Sequence, residues 1–433
     1  MKLIAHLTIA VKDNLRYFQN VTATFCSQAI TALSVLFLTP YLLRSLGEEN
    51  FNQYWVILNL IVVAAASDLG LSVGLSHRLI IRKRNYSLFI TTVLGAQLLI
   101  FFLALPLLYL VFYVDLLQVS GNAMLLGMLV SVIMLQNMVA LLFDGVLQSF
   151  NKIYVSKWVR VAKTLAETIV IFFLIQDQRS FISLLVATAA INLLYVGLLV
   201  YFSRKTCRFQ LSARYFSIRV LRQHLRYSMP YLLTIVAGLI AFNVQILLLK
   251  SLLLPFYMAL FLLLFRFFEI IRTALTNFTL VLFPSISGLQ ASGKWVQIEQ
   301  LFFVVLKRVS LLALVVLLFL MVAGKQLFSW WSGYSLIQEA PLFYLFCFYT
   351  VLIVVDHVSV VFQYSLNIQQ TPALVSIVQS IVSLLLTIYL VGQMGVAGAL
   401  WASLISAAGI SFIFNPIYLL RAIRKNKALT VAA

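Results

Sequence analysis

The chain has 433 residues and a mass of 48.9 kDa, and 63% of its residues are hydrophobic while only 10% are charged. Because soluble globular domains are roughly one quarter charged, this composition excludes a water-soluble particle, and it also excludes disordered, collagen-like and disulfide-scaffold chains. A net charge of +19 suggests nucleic acid as the partner of a soluble protein, but in so apolar a chain we attribute it to basic loops on the cytoplasmic side of a membrane.

The first 19 residues predict an amphipathic segment that stays attached and lies on the inner membrane surface. Their apolar run is short, it is interrupted by Lys12, Asp13 and Arg16, and it lacks a small-residue cleavage site. A cleaved signal peptide is therefore not predicted.

Twelve apolar stretches follow, each close to the roughly 20 residues that a helix needs to cross a bilayer. Continuously apolar runs such as 311–321 exclude a barrel of short alternating strands. The sequence therefore predicts an all-α polytopic membrane protein with 12 transmembrane helices. The predicted spans are 20–43, 54–76, 88–113, 123–148, 156–176, 181–202, 229–250, 256–283, 301–323, 342–365, 372–391 and 396–420.

The basic residues predict the orientation of these spans. Twenty-four of the 31 Lys and Arg lie at the N-terminus, in every second loop with its flanks, and in the C-terminal tail; one such loop holds Arg78, Arg82, Lys83 and Arg84. Because Lys and Arg resist translocation, these segments are predicted to face the cytoplasm, with both termini inside.

A basic connection at 203–228 divides the spans into two sets of six. The predicted organisation is an N-lobe at 20–202, this linker, a C-lobe at 229–420 and a basic cytoplasmic tail at 421–433. The linker is predicted to be partly helical and to bind anionic lipid rather than nucleic acid. The hairpin 149–152 corresponds to 365–368, so we interpret the two lobes as parallel repeats, as in transporters that work by alternating access.

Four local patterns occur in a familiar order: TPYLLRSLG at 39–47, SDLGL at 67–71, YSMPY at 227–231 and LFPSISGL at 282–289. With the layout of the spans, they resemble the polysaccharide-transporter branch of the multidrug/oligosaccharidyl-lipid/polysaccharide (MOP) exporter superfamily, and most of all the Wzx-type flippases of O-antigen repeat units.

This resemblance implies a MATE-like fold of two six-helix lobes around a central cavity, in a bacterial inner membrane, without enzymatic chemistry. The implied substrate is an undecaprenyl-diphosphate-linked oligosaccharide that moves from the cytoplasmic to the periplasmic leaflet. Other membrane proteins of glycan assembly are further candidate partners. One departure is that span 20–43 carries no basic residue, whereas some lipid-flipping relatives place charge there.

Charges within the predicted spans indicate where a substrate binds, because an ionisable side chain in a membrane usually faces a cavity or a partner. On the eighth span, Arg266, Glu269 and Arg272 are three residues apart and spread over about 120° of the helix surface. Either they form a self-neutralising strip, or the surplus positive charge binds a diphosphate or an acidic sugar, because the planar fork of arginine matches phosphate oxygens. We expect the second.

Two further sets are open to both a functional and a structural interpretation. Lys163 and Glu167 share one face of the fifth span, so Lys163 either contributes to substrate binding or is neutralised by Glu167. Asp356 and His357 on the tenth span either exchange protons during transport or fix helix packing. Proton coupling would involve Asp356, His357, Glu167 and Glu269.

Other features limit the alternatives. Asp68 and Asp144 lie near the cytoplasmic ends of their spans, where snorkelling and pairing with basic loops are expected. The three Cys and four His are scattered and no Walker motif occurs, so neither a metal site nor another cofactor is predicted. A drug exporter on the same fold would require more acidic residues in the N-lobe. A glycan polymerase or glycosyltransferase would require a large outward loop, which this chain lacks.

Overall fold

The computed structural model describes residues 2–65, 68, 70–81, 85–113, 123–176, 181–280, 282–334, 340–368 and 370–432. Within these residues, every regular element is helical. The basic residues 82–84 lie outside the described residues, as do the side chains of residues 1–18 in the predicted amphipathic segment. The all-α fold class is confirmed.

The α-helices have the following bounds. They are α1 (Lys2–Ala65), α2 (Leu71–Ile81), α3 (Tyr86–Tyr113), α4 (Ala123–Ser149), α5 (Ile153–Gln176), α6 (Phe181–Cys207), α7 (Ile218–Gly238), α8 (Gln245–Leu252), α9 (Pro255–Leu280), α10 (Phe283–Ala291), α11 (Trp295–Phe319), α12 (Lys325–Ser332), α13 (Ala340–Ser365), α14 (Gln370–Met394), α15 (Val396–Ser406) and α16 (Phe412–Ala432). Three π-helical segments, Leu239–Val244, Leu320–Gly324 and Ala407–Ser411, join α7 to α8, α11 to α12 and α15 to α16.

These helices supply the twelve predicted spans of a multi-pass membrane protein. Among the described residues, eight helical stretches are long and apolar enough to cross a bilayer. The first holds two spans, because Gly47 breaks α1 with a φ of 73° that residues with a Cβ rarely adopt. The remaining spans are α5, α7 with α8, and α9. Both α5 and α9 carry several charged side chains, which is why they are less apolar.

The chain divides into two compact units, Met1–Ile235 and Val236–Ala433. The core of the first unit is formed by apolar side chains of α2, α3, α4 and α6, including the fully buried Phe143. The core of the second unit is formed mainly by α11, α13 and α16, with Phe302 and Phe362 in edge-to-face contact at 5.3 Å.

The two hairpins that the sequence pairs as repeats have the same backbone geometry. Asn151 between α4 and α5 has a φ of 57°, and Asn367 between α13 and α14 has a φ of 56°. In each hairpin the next residue closes the turn: Lys152 N–H donates to Leu147 O, and Ile368 N–H donates to Gln363 O, both at 3.0 Å. This is the pattern of a helix C-terminus capped by a left-handed residue, so one local device recurs in both units.

The basic linker is docked on the first unit. Phe209 is buried and stacks on Phe143 of α4, with ring centroids 5.7 Å apart. Gln210 N–H donates to Ser87 Oγ at 3.0 Å, so the linker also meets the start of α3. The segment is partly helical, with the end of α6, a 3-10 turn at Ala213–Tyr215 and the start of α7.

Candidate functional site

The charged strip of α9 begins beside a buried face of the helix, at Arg272, and extends to the opposite side, at Arg266. At about 100° per residue, the buried side chains of Leu264, Phe268 and Leu275 fall within about 40° of one another. Arg272 lies about 40° from the edge of this stripe, whereas Arg266 lies on the opposite side of the helix. Since α9 packs mainly against α13, Arg272 is the arginine near that neighbour.

One part of the strip is an ion pair. Arg266 Nη1 lies 2.5 Å from Glu269 Oε2, and these side chains are 16% and 33% exposed. The guanidiniums of Arg266 and Arg272 both lie 5.9 Å from the centre of the Phe265 ring, within range of a cation–π contact. The strip thus carries two guanidiniums and one carboxylate, a formal charge of +1.

On α13, Asp356 is held by an amide of the last helix. Asn415 Nδ2 of α16 donates to both carboxylate oxygens of Asp356, at 3.0 and 3.1 Å. The backbone carbonyl of Asn415 in turn accepts a hydrogen bond from Gln363 Nε2 of α13 at 2.9 Å. These contacts join α13 to α16, as the packing interpretation of Asp356 requires, and they leave proton exchange open.

His357 lies next to this network. Among the described residues its buried Nε2 atom has no hydrogen-bond partner. Because α9 packs against α13, the helix that carries Arg272 is a neighbour of the helix that carries Asp356 and His357.

In the first unit, Lys163 and Glu167 form the pair that their spacing predicts. Lys163 Nζ lies 3.6 Å from Glu167 Oε1, and the two side chains are about one fifth exposed, at 20% and 21%. Lys163 Nζ also lies 5.1 Å from the centre of the Tyr195 ring of α6. This geometry provides the mutual neutralisation that was one of the two expectations for the pair.

The two acidic residues predicted near the cytoplasmic ends of their spans, Asp68 and Asp144, are buried. Asp144 of α4 pairs with Arg160 of α5, Oδ2 to Nη2, at 3.2 Å. Its partner thus lies on a neighbouring helix and not in a basic loop, and Asp144 is only 6% exposed, so the expected snorkelling is wrong. For Asp68, the expectation of a snorkelling side chain is wrong, because it is only 3% exposed. Its carboxylate accepts hydrogen bonds from Ser72 N–H at 3.1 Å, from Ser72 Oγ at 2.9 Å and from Gln97 Nε2.

The sequence analysis did not identify several residues of these networks. Asn415 and Gln363 bond to each other although they are 52 positions apart, and only the packing of α16 on α13 brings them together. The roles of Arg160 and Tyr195 as partners across helices were not predicted for the same reason. One local signal existed: Ser72 follows Asp68 by four residues, the spacing at which helical side chains meet.

No protein-family model matches the chain, and no curated protein does. Among solved structures, it is similar to an inward-facing multidrug resistance transporter of the MATE family in the MOP superfamily, with a TM-score of 0.72 and 15% identity over 92% of this chain and 96% of that one. It is similar to the lipid II flippase MurJ in an inward closed conformation, with a TM-score of 0.72 and 13% identity over 95% of this chain and 90% of that one.

A third similar structure is a MOP superfamily transporter from Pyrococcus furiosus, described by the reverse polarity of its binding pocket. The TM-score is 0.63, with 14% identity over 95% of each chain. All three neighbours belong to the MOP superfamily, so the chain has the twelve-helix fold of that superfamily. At these identities the similarity shows the fold alone.

Proposed function

We propose that the protein is a flippase of the bacterial inner membrane that moves an undecaprenyl-diphosphate-linked oligosaccharide, such as an O-antigen repeat unit, from the cytoplasmic to the periplasmic leaflet. The observation that carries this proposal is the net positive strip on α9, a membrane-spanning helix. A charged side chain at that depth costs about 2.5–3.5 kcal/mol on insertion scales, so such residues usually face a cavity or a polar group. A diphosphate offers several anionic oxygens to two guanidiniums.

In this mechanism Arg266 and Arg272 hold the diphosphate or acidic sugars, and Lys163, whose charge Glu167 balances, makes a minor contribution to binding. Transport follows alternating access. Transporters of this fold have been solved in inward-facing and outward-facing conformations, which supports that part of the proposal.

Proton exchange at Asp356 and His357 resets the carrier in this proposal, with Glu167 and Glu269 as further candidates. The test is the variant Asp356→Asn, which keeps one oxygen that can accept a hydrogen bond from Asn415 and so retains part of the α13–α16 contact. If the residue exchanges protons, transport driven by a pH gradient is lost while transport down a substrate gradient persists. If both modes are kept, Asp356 serves packing alone and the proton role is wrong.

A drug exporter of the same fold is the second candidate, and the contacts of the first unit speak against it. An exporter of cationic drugs needs acidic side chains that are available to its substrate. Asp144 is paired with Arg160, Glu167 with Lys163, and Asp68 accepts hydrogen bonds from Ser72 and Gln97. These carboxylates are therefore already compensated by neighbouring groups.

The experiment compares cells that lack the protein with cells that express it. Inside-out and right-side-out membrane vesicles are treated with an impermeant reagent that oxidises sugars, which reports the leaflet of the lipid-linked glycan. We expect the glycan to accumulate on the cytoplasmic leaflet without the protein and to be redistributed when it is expressed. The variant Arg266→Glu should fail to restore the distribution, whereas Arg308→Glu, at an exposed position of α11, should restore it.

An unchanged distribution in cells that lack the protein would contradict the proposal. A variant Arg266→Glu that inserts at normal levels and restores the distribution would contradict the role of α9 and leave the flippase assignment standing.

A further inference from the structure

The outer surface of the second unit carries an apolar groove between α14 and the last span. It encloses about 520 Å³ and is lined at its centre by Val378 of α14 and by Gly409 and Ile413 of the last span. Val378 and Ile413 are each 54% exposed, so the groove is open along its length. Its walls are therefore accessible to a hydrocarbon chain that lies beside the protein.

The groove owes part of its width to Gly409. This residue lies in the π-helical segment Ala407–Ser411, a widened turn of the kind that often marks functional positions. A Cβ atom built on Gly409 would have no neighbour within 4 Å, so the missing side chain leaves open space in the groove wall.

The polar groups of the groove lie together at one end. Tyr418 Oη donates to Thr371 Oγ1 at 3.3 Å, and Arg421 lies almost one turn further along α16. The next bases of the same helix turn to another neighbour: Arg424 Nε and Lys427 Nζ lie 3.5 and 3.1 Å from the carboxylate of Glu299 on α11. Among the described residues, Arg421 is the one charged residue in the lining of the groove.

The length of the groove fits one leaflet. Gly409 and Arg421 are twelve residues apart, so the distance between them along the helix is about 18 Å. The hydrocarbon core of a bilayer is about 30 Å thick, so the groove extends from the predicted cytoplasmic surface to slightly beyond the middle of the membrane. An amphiphile with an anionic head at Arg421 would place its tail along the apolar walls.

A second groove of the same unit provides a comparison. It encloses about 370 Å³ between α13 and the last span, and residues such as Val351 and Leu404 line it. Among the described residues, its lining holds no charged side chain that could bind an anionic head. The two grooves thus differ in charge more than in apolar character.

We propose that the groove between α14 and α16 binds the polyprenyl chain of a lipid-linked diphosphate, with Arg421 contacting the phosphate oxygens at the cytoplasmic surface. The identity of this lipid rests on the function proposed above. Such a site would hold the lipid at the cytoplasmic surface before its diphosphate passes to the arginines of α9. An ordinary phospholipid with an anionic head is the occupant to be excluded.

The test is photocrosslinking of the full-length protein in phosphatidylcholine nanodiscs that contain radiolabelled undecaprenyl diphosphate. A photoreactive benzoylphenylalanine replaces Val378 in the first groove or, as a matched control, Val351 in the second. We expect labelling at Val378 to exceed labelling at Val351 at least fivefold. Arg421→Gln, and separately Gly409→Leu, which fills the groove, should each reduce labelling at Val378 at least fivefold.

Competition identifies the occupant. Excess unlabelled undecaprenyl diphosphate should abolish labelling at Val378, and the same excess of phosphatidylglycerol should leave it unchanged. Equal labelling in the two grooves, full labelling with Arg421→Gln, or equal competition by phosphatidylglycerol would each overturn the proposal. Because Arg421 lies at the surface, its substitution should not unfold the protein. As a control, labelling is measured on protein whose thermal unfolding matches that of the unchanged chain.

The outcomes for the groove and for the proposed function are distinguishable. If Val378 is labelled selectively but cells without the protein show a normal leaflet distribution of lipid-linked glycan, the groove stands and the flippase assignment fails. If those cells accumulate the glycan on the cytoplasmic leaflet but Val378 is not labelled, the flippase assignment stands and the groove proposal fails.

Discussion

The two units share one hairpin geometry but differ in how their charged side chains are paired. In the first unit, Glu167 lies against Lys163 and Asp144 against Arg160. In the second unit, the strip of α9 has two guanidiniums for one carboxylate, and Asp356 contacts an amide of Asn415 instead of a base. Directly paired charges mainly stabilise a helix inside the membrane, whereas an unbalanced strip can also bind an anionic ligand. Under the function proposed above, we therefore assign the diphosphate to the strip of the second unit.

The largest expected effect comes from reversing the charge of α9. The double variant Arg266→Glu/Arg272→Glu should reduce export of surface glycan more than tenfold, because a negative strip repels a diphosphate. The matched variant Lys163→Gln/Glu167→Gln removes a balanced pair and should keep export within about threefold of normal. Both are measured as surface glycan per cell at equal amounts of protein in the membrane.

The reverse order, with export lost on neutralising the pair of α5 and kept on reversing α9, would move the binding role to the first unit.

The pair of α5 should show its structural role when one partner is removed. Either Lys163→Gln or Glu167→Gln alone leaves a charge in the membrane without its partner. We expect each to lower the free energy of unfolding by about 2 kcal/mol. The double variant should be less damaging than the sum of the two single variants by at least about 1 kcal/mol. Thermal unfolding in detergent measures this; a loss of 2 kcal/mol corresponds to roughly 4–8 °C.

Strict additivity of the two single losses would mean that the 3.6 Å contact contributes nothing to stability.

A buried amide in the second unit should have the next largest effect. Gln245 Nε2 of α8 lies within hydrogen-bond distance of Ser403 Oγ at 2.9 Å, Ala399 O at 3.2 Å and Thr387 Oγ1 at 3.3 Å, and so joins α8 to α14 and α15. Gln245→Leu should cost about 1–2 kcal/mol. The control is Gln393→Leu at the exposed end of α14, which should change the unfolding temperature very little.

Equal unfolding temperatures for the two glutamine variants would show that the contacts of Gln245 do not hold these helices together.

The smallest expected effect is a difference in stability between glycine variants of the hairpins at Asn151 and Asn367. Glycine adopts a positive φ easily, so Asn367→Gly should stay within about 0.5 kcal/mol of the unchanged protein. Asn151 has a further contact, because Asn20 Nδ2 donates to its Oδ1 atom at 2.7 Å. We therefore expect Asn151→Gly to cost about 1 kcal/mol more than Asn367→Gly. Equal stability of the two variants would contradict this.

The sequence was sufficient for the fold because its signals are local. Long apolar runs predict the spans, and the asparagines at 151 and 367 mark equivalent turns whose geometry depends on a few neighbouring residues. The break at Gly47 falls in the predicted connection between spans 20–43 and 54–76. The π-helical segments were not predicted, since the apolar pattern continues through them.

The candidate site was only partly predictable. The spacing of Lys163 and Glu167 and that of Arg266 and Glu269 on single helices indicated two ion pairs that the structure contains. The contact of Asp356 with Asn415 and the burial of Asp68 depend on which helices pack together. A single sequence gives the residues on each helix but not their neighbours across a helix interface.

The most direct test of the central claim is the affinity for undecaprenyl diphosphate, measured in phosphatidylcholine nanodiscs on protein that carries Arg421→Gln, so that the groove between α14 and α16 does not contribute. Each hydrogen bond to a charged group contributes about 1.5–3 kcal/mol, which is roughly tenfold or more in affinity. We predict that Arg266→Gln/Arg272→Gln weakens binding at least tenfold, while Arg308→Gln on α11 leaves it unchanged. If the α9 variant binds the lipid as tightly as the protein with Arg421→Gln alone does, the strip is not the diphosphate site.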